Sequence, residues 1–180
     1  MSWSEANDRY LEASLARVRR RLERQAAGAQ AGDSTPEPPV ESFEVDGHPP
    51  ALEALAATFG LSAFERDVVL LAAGPDLGAG FPARSTFGLA LAALDDPSWE
   101  ALSPQGALRY WRLIELGPGE GLCSLTLRAD ERVLHYLRGL EVLDERLAGL
   151  VEPLPVPRSL VASQARVAER LAAAWARAAE

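Results

Sequence analysis

The chain has 180 residues, 48% of them apolar and 24% charged, a balance that predicts a soluble globular protein with one compact domain plus extensions. Its net charge of −8 disfavours nucleic acid as the main partner, and all 18 basic residues are arginines, so a P-loop lysine or a Schiff-base lysine is excluded. One cysteine and two dispersed histidines build neither an intrachain disulfide nor a zinc site alone, and with no run of 18 apolar residues and no secretory leader a cytoplasmic location is expected.

Residues 4–27, "SEANDRYLEASLARVRRRLERQAA", read as one helix. Leu11, Leu15, Val18 and Leu22 recur at spacings of four, three and four, which places them on one stripe. That stripe is the candidate contact surface of the chain, docking on the globular part or on another subunit. Arg17, Arg20, Arg21 and Arg24 fall largely off it and read as a solvated face rather than a nucleic-acid patch. Residues 28–42, crowded with Gly, Ser, Thr and Pro, read as a flexible linker.

A compact domain is expected over 43–151. "PPALEALAATFG" gives a short helix with Leu52, Leu55 and Phe59 on one face and Gly60 at its end. "LSAFERDVVLLAAG" opens with Ser62 and Glu65 at capping-box spacing and is stopped by Gly74-Pro75. "TFGLALAAL" is a third helix with Thr86 as N-cap. "DDPSWEALS" is a short helix with Asp96 at N-cap and Pro97 at the first helical position, and Ser103-Pro104 repeats the pattern before "QGALRYW".

The run "RLIELGPGEGLCSLTLRA" then raises the question of a phosphate loop. Pro118 offers no N–H, and Glu120 puts a negative charge where a phosphate would sit. Cys123, Leu125 and Leu127 alternate with Ser124, Thr126 and Arg128, the pattern of a half-buried strand. A phosphate loop leads from strand to helix, whereas these glycines join two strands, so "GPGEG" reads as a hairpin tip. Asp130 caps a following helix, "ERVLHYLRGL". Residues 152–159 form a proline-rich linker, and 160–180 an alanine-rich helix.

Three helices followed by a hairpin is the order of a winged helix, so the fold class expected is mainly α with a small β-hairpin (α+β). Many winged helices read DNA with the third helix. "TFGLALAAL" has no Arg, Asn or Gln to reach a base edge, only Arg84 and Ser85 near its start, and the wing tip carries Glu120. A DNA-binding regulator is therefore the second reading and a protein-interaction domain the first.

The segments "NDRYLEASLARVRRRLER", "GLSAFERDVVLLAAG", "STFGLALAALDDPSWEALSP", "LRYWRLIEL" and "RADERVLHYLRG" together resemble the N-terminal region of a family of bacterial AAA+ ATPases. Members of that family accompany extracellular contractile injection systems, which are phage-tail-like particles. The resemblance covers most of residues 4–151, in order, and implies a winged-helix domain that precedes an ATPase module. "LVASQARVAERLAAAWARA" is similar to the helix that leads into the ATPase core. The resemblance implies protein partners: the AAA+ module, neighbouring subunits and particle components. ATP and Mg would belong to the AAA+ module. This sequence has no Walker A or Walker B motif, so no catalytic, cofactor-binding or metal-binding residue carries over.

Other chemistry-bearing residues read as structural. Glu141, Asp144 and Glu145 form a solvated face before they form an acid/base pair. His135 is a half-exposed helix residue and His48 a loop residue. Cys123 falls at an inward strand position, as a small buried apolar group. Trp99, Trp111 and Trp175 are core residues or contact anchors, and an exposed one would mark a partner surface.

Overall fold

The computed structural model describes residues 2–28, 40–45, 47–78, 80–147, 149–152, 154 and 159–178. The expected linkers at 28–42 and 152–159 lie largely outside these residues. The chain forms two compact units, Met1–Leu143 and Asp144–Glu180.

The first unit begins with α1 (Trp3–Ala26). Ser2 caps it: its Oγ accepts from the Glu5 N–H at 3.3 Å, and Glu5 Oε2 accepts from the Ser2 N–H at 2.8 Å. The predicted stripe faces the core of its own chain, with Leu11, Leu15 and Val18 at 5% exposure or less and Leu22 at 8%. The helix buries more than the stripe. Arg17 and Arg21, expected on the solvated face, are buried and converge on Asp67. They belong to the same inward face as Ser14 and Val18, because residues three and four apart on a helix are neighbours.

Next in order come α2 (Ala51–Phe59) and, after a three-residue turn, α3 (Ala63–Leu77). Pro50 cannot cap α2 with its side chain, and Asn7 of α1 does so from a distance: its Oδ1 accepts from the Ala51 N–H at 2.9 Å, while its Nδ2 donates to Leu137 O at 2.9 Å. Gly60 closes α2 in the left-handed conformation, at φ 63°. The Ser62–Glu65 capping box forms as predicted.

Gly74-Pro75 does not stop α3, which continues to Leu77. Pro75 lacks the N–H that would reach the carbonyl of Leu71. The Ser85 hydroxyl donates to that carbonyl instead, at 2.9 Å, and both groups are buried. Gly74 is glycine because the ring of Phe81 lies where a Cβ would stand.

After Ser85-Thr86 comes α4 (Phe87–Ala93), with Thr86 Oγ1 accepting from the Leu89 N–H at 3.2 Å as expected of its N-cap. Asp96 does not cap a helix. It adopts the left-handed conformation (φ 48°), and only a 3₁₀ turn follows, at Trp99–Leu102. Ser103-Pro104 likewise lies in a turn, and α5 (Ala107–Tyr110) starts at Gly106.

A two-stranded antiparallel sheet joins β1 (Ile114–Leu116) to β2 (Leu127–Ala129), with Ile114 opposite Ala129 and Glu115 opposite Arg128. The second strand starts later than the alternation predicts. Residues 122–124 form a 3₁₀ turn, so Cys123 is exposed rather than facing inward. Beside the sheet, Thr86 forms an isolated antiparallel bridge with Thr126, and the Leu127 N–H donates to Ser85 O at 2.7 Å. Asp130 caps α6 (Glu131–Leu137), accepting from the Arg132 N–H at 3.0 Å. The architecture is mostly helical with a small hairpin, a winged-helix-like α+β fold. In it α3, the bridged segment at Ser85-Thr86, α4 and α5 lead into the hairpin.

A polar network threads this core. The Tyr10 hydroxyl donates to Glu53, which also accepts from Arg66 Nη1 at 2.9 Å. Arg66 Nε lies 3.8 Å from Asp67 Oδ1, Arg17 Nη2 donates to the same oxygen at 2.8 Å, and Arg21 spans Asp67 and Asp95. It ties α1, α2 and α3 to the end of α4. Burial and the Glu53 partner push the Tyr10 hydroxyl up to about 12.

The second unit contains a 3₁₀ turn at Glu145–Leu147 and α7 (Ala162–Ala178).

Candidate interaction surface

The stretch from Ser103 to Leu113 determines which side chains stand in front of the hairpin. Gly106 is hemmed in by the carbonyls of Glu100, Ser103 and Ala101, at 3.1–3.4 Å from where a Cβ would sit. Leu108, fully buried, pins α5 to the core, and Arg109 Nη1 donates to Leu102 O at 3.2 Å. With Leu108 inward, Tyr110 and Trp111 point out and are 65% and 52% exposed. Their rings meet edge to face at 4.9 Å, and Trp111 leans on Phe59 of α2 at 5.6 Å. Arg112 then takes the left-handed conformation at φ 52°, uncommon for a residue with a Cβ, and turns the chain into β1.

The loop between the strands, 117–126, is tied at its base. The Gly117 N–H donates to Thr126 O at 2.7 Å, and Thr126 Oγ1 donates to Pro118 O at 3.1 Å. Gly119 presses against the Ser124 carbonyl where no Cβ fits. Glu120 is exposed at the tip. Glu115 and Arg128, directly opposite on the outer face, pair charges of opposite sign.

The helix ahead of the hairpin is therefore α5, not "TFGLALAAL". It is a single turn, too short for periodicity to announce; it carries Arg109 and Tyr110, with Trp111 as its C-cap and Arg112 just beyond. Sequence reading flagged Trp111 as a possible anchor and passed over Tyr110. The adjacent "RYW" between two prolines and a strand was the available signal.

The remaining candidates fall elsewhere. Leu11, Leu15, Val18 and Leu22 are committed to the core of their own unit, so they are not an open contact surface. Trp99 is 58% exposed and rests against Phe87 at 5.7 Å, and Trp175 is 74% exposed on α7. His135 Nε2 lies 3.4 Å from Glu131 Oε1, one helical turn away, and His48 is exposed beside its bridge to Val45. Asp144 is held by Arg146 at 2.9 Å, while Glu141 and Glu145 are exposed. Among the described residues no three His, Cys, Asp or Glu side chains gather to hold a metal, and no helix is long and apolar enough to cross a membrane.

Residues 2–81 match the family model described as winged helix domain, variant. The match takes in α1, α2 and α3 and ends before the hairpin. No curated protein and no solved structure matches the chain.

Proposed function

We propose that this chain is a non-catalytic interaction domain of winged-helix type, and that it engages a protein through Tyr110 and Trp111. The carrying observation is that pair itself: two large rings, each more than half exposed, packed on each other at the helix ahead of the hairpin. Tyr, Trp and Arg dominate the energetics of protein interfaces, and rings already braced by neighbours bind with little loss of side-chain entropy. Phe59 supplies that bracing. The resemblance of residues 4–151 to the N-terminal region of AAA+ ATPases supplies the context: the domain positions such an ATPase on components of a contractile injection particle, or supports its oligomer. ATP and Mg belong to the ATPase module in this reading.

One observation favours the DNA-binding alternative. Arg109 on α5 and Arg112 in the turn after it flank the aromatic pair, at the position of the helix that enters the major groove in many winged helices. Against it stand the net charge of −8 and Glu120 at the wing tip. The test compares wild type with Tyr110→Ala/Trp111→Ala in binding to purified contractile particles, and titrates labelled duplex DNA at about 50 and about 200 mM salt. The expected result is particle binding that the double variant loses, with DNA binding gone at the higher salt. A sequence-specific footprint that survives at the higher salt and disappears in Arg112→Ala overturns the reading in favour of a regulator.

A further inference from the structure

Helices α2, α5 and α6 end on the same closure, in which an N–H just past the helix returns to a carbonyl of its last turn. Leu61 N–H donates to Ala56 O, Leu113 N–H to Leu108 O and Leu140 N–H to His135 O, each at 2.9 Å. That bond holds the residue before the donor in the left-handed conformation. At α2 and α6 this residue is a glycine, Gly60 (φ 63°) and Gly139 (φ 77°). At α5 it is Arg112 (φ 52°). A Cβ in this conformation meets a steric penalty that glycine avoids. Leu108 and Leu113 are both buried, so the core fixes the closure whichever residue stands between them.

The side chain kept at that position has no structural task. Arg112 is exposed, and its guanidinium makes no hydrogen bond or ion pair among the described residues. Arg109, by contrast, is half-buried and donates to Leu102 O. Arg112 follows Trp111 directly, so its planar fork stands at the border of the exposed ring pair, and that fork matches a carboxylate or a phosphate. The charges around it select between the two. Glu115 lies three residues on and Glu120 at the loop tip, both exposed. Glu131, also exposed, follows Asp130, whose N–H meets Leu113 O at 3.2 Å. A polyanion would meet these carboxylates as well and be repelled. A single carboxylate on an apolar segment needs to meet only the arginine, while the rings take its apolar neighbours.

We infer that Arg112 is the specificity-determining contact of the Tyr110–Trp111 surface, and that it recognises an Asp or Glu side chain on an otherwise apolar segment of a protein partner. The inference rests on the reading of that ring pair as a protein contact. The left-handed turn sets stability against recognition: glycine suits the fold, and arginine suits the partner.

The experiment uses the full chain. Thermal unfolding should place Arg112→Gly about 2–8 °C above wild type, and Arg112→Lys, which keeps the Cβ, level with it. A random peptide library displayed on phage is then panned on wild type and counter-selected on Tyr110→Ala/Trp111→Ala. The surviving peptides should be enriched in Asp or Glu beside apolar residues. Their affinity should fall about tenfold or more in Arg112→Gly, and by less in Arg112→Lys, which keeps the charge but not the fork. A variant that is more stable and yet binds more weakly is a result that a merely structural arginine would not give. The inference is overturned, with the ring pair still standing as a contact surface, if Arg112→Gly is no more stable than wild type. The same holds if the selected peptides lack acidic residues or bind Arg112→Gly as tightly as wild type. If no peptide depends on the ring pair, the inference and the function proposed for the surface fall together. Duplex DNA that binds at about 200 mM salt and is lost in Arg112→Gly overturns it in favour of a phosphate.

Discussion

Asp67 carries the largest single prediction. Its side chain is 6% exposed, and those of Arg17 and Arg21, which close on it, are 8% and 9% exposed. Removing the carboxylate leaves Arg17 without its acidic partner in the core and Arg21 with only Asp95, whose side chain is 65% exposed. The Nε groups of both arginines have no hydrogen-bond partner among the described residues. Breaking a buried pair from one side costs about 3–5 kcal/mol, against a total stability of about 5–15 kcal/mol for a domain. Asp67→Asn keeps the shape, removes the charge, and should lower Tm by roughly 6–20 °C for a unit of this size. Urea unfolding followed by circular dichroism measures the free energy directly. The complementary variant Arg17→Met/Arg21→Met/Asp67→Leu should recover most of the loss, because it removes both signs together. If Asp67→Asn falls within about 0.5 kcal/mol of wild type, the range of an ordinary surface change, the cluster is not the buried ion pair described above.

Three further outcomes follow from particular contacts. Tyr10 has a folded-state pKa raised from 10.0 to about 12, so its contribution is fully present below pH 10 and lost as pH rises through about 12; Tyr10→Phe should remove that alkaline limb from the stability profile, measured by urea midpoint against pH. Ser85→Ala leaves the Leu71 carbonyl without its donor at the proline and should lower stability by about 1–3 kcal/mol. A Ser85→Ala variant as stable as wild type would mean that another group satisfies that carbonyl. Gly74→Ala drives a methyl into the Phe81 ring and should cost about 1–3 kcal/mol in chemical unfolding, although alanine is the better helix former.

The readable parts of this fold were those governed by short-range rules. The capping box at Ser62, the N-cap at Thr86 and the closure at Gly60 depend on residues within one turn, and local sequence contains them. The apolar stripe of α1 was legible for the same reason. Its arginines were not, because their burial is decided by Asp67, some fifty residues away. Pro75 misled for a similar reason: whether a proline ends a helix depends on whether the abandoned carbonyl finds a donor, and Ser85 lies on a different element. Alternation across 123–128 predicted a strand, but the chain approaches Ser124 so closely at Gly119 that a turn forms first. At the candidate surface, Trp111 was visible as a residue and invisible as a position. The one-turn helix that presents it is held by Leu108 and by the crowded Gly106, neither of which shows in any periodicity.

Composition invites a cut at the Gly/Pro-rich stretch after α1, as if the helix were an appendage. The Asn7 side chain forbids that division. One amide fastens the opening N–H of α2 and a closing carbonyl of α6, so the first turns of the chain hold together segments that are 86 positions apart from each other (Ala51 and Leu137). A fragment begun after the stretch would lose both clasps at once. It would also strip Asp67 of Arg17 and Arg21, leaving it only the more distant Arg66, and bare the apolar wall on which Val18 rests. Anyone trimming this protein to a minimal folding unit should therefore shorten it from the other end, where Leu143 gives way to Asp144.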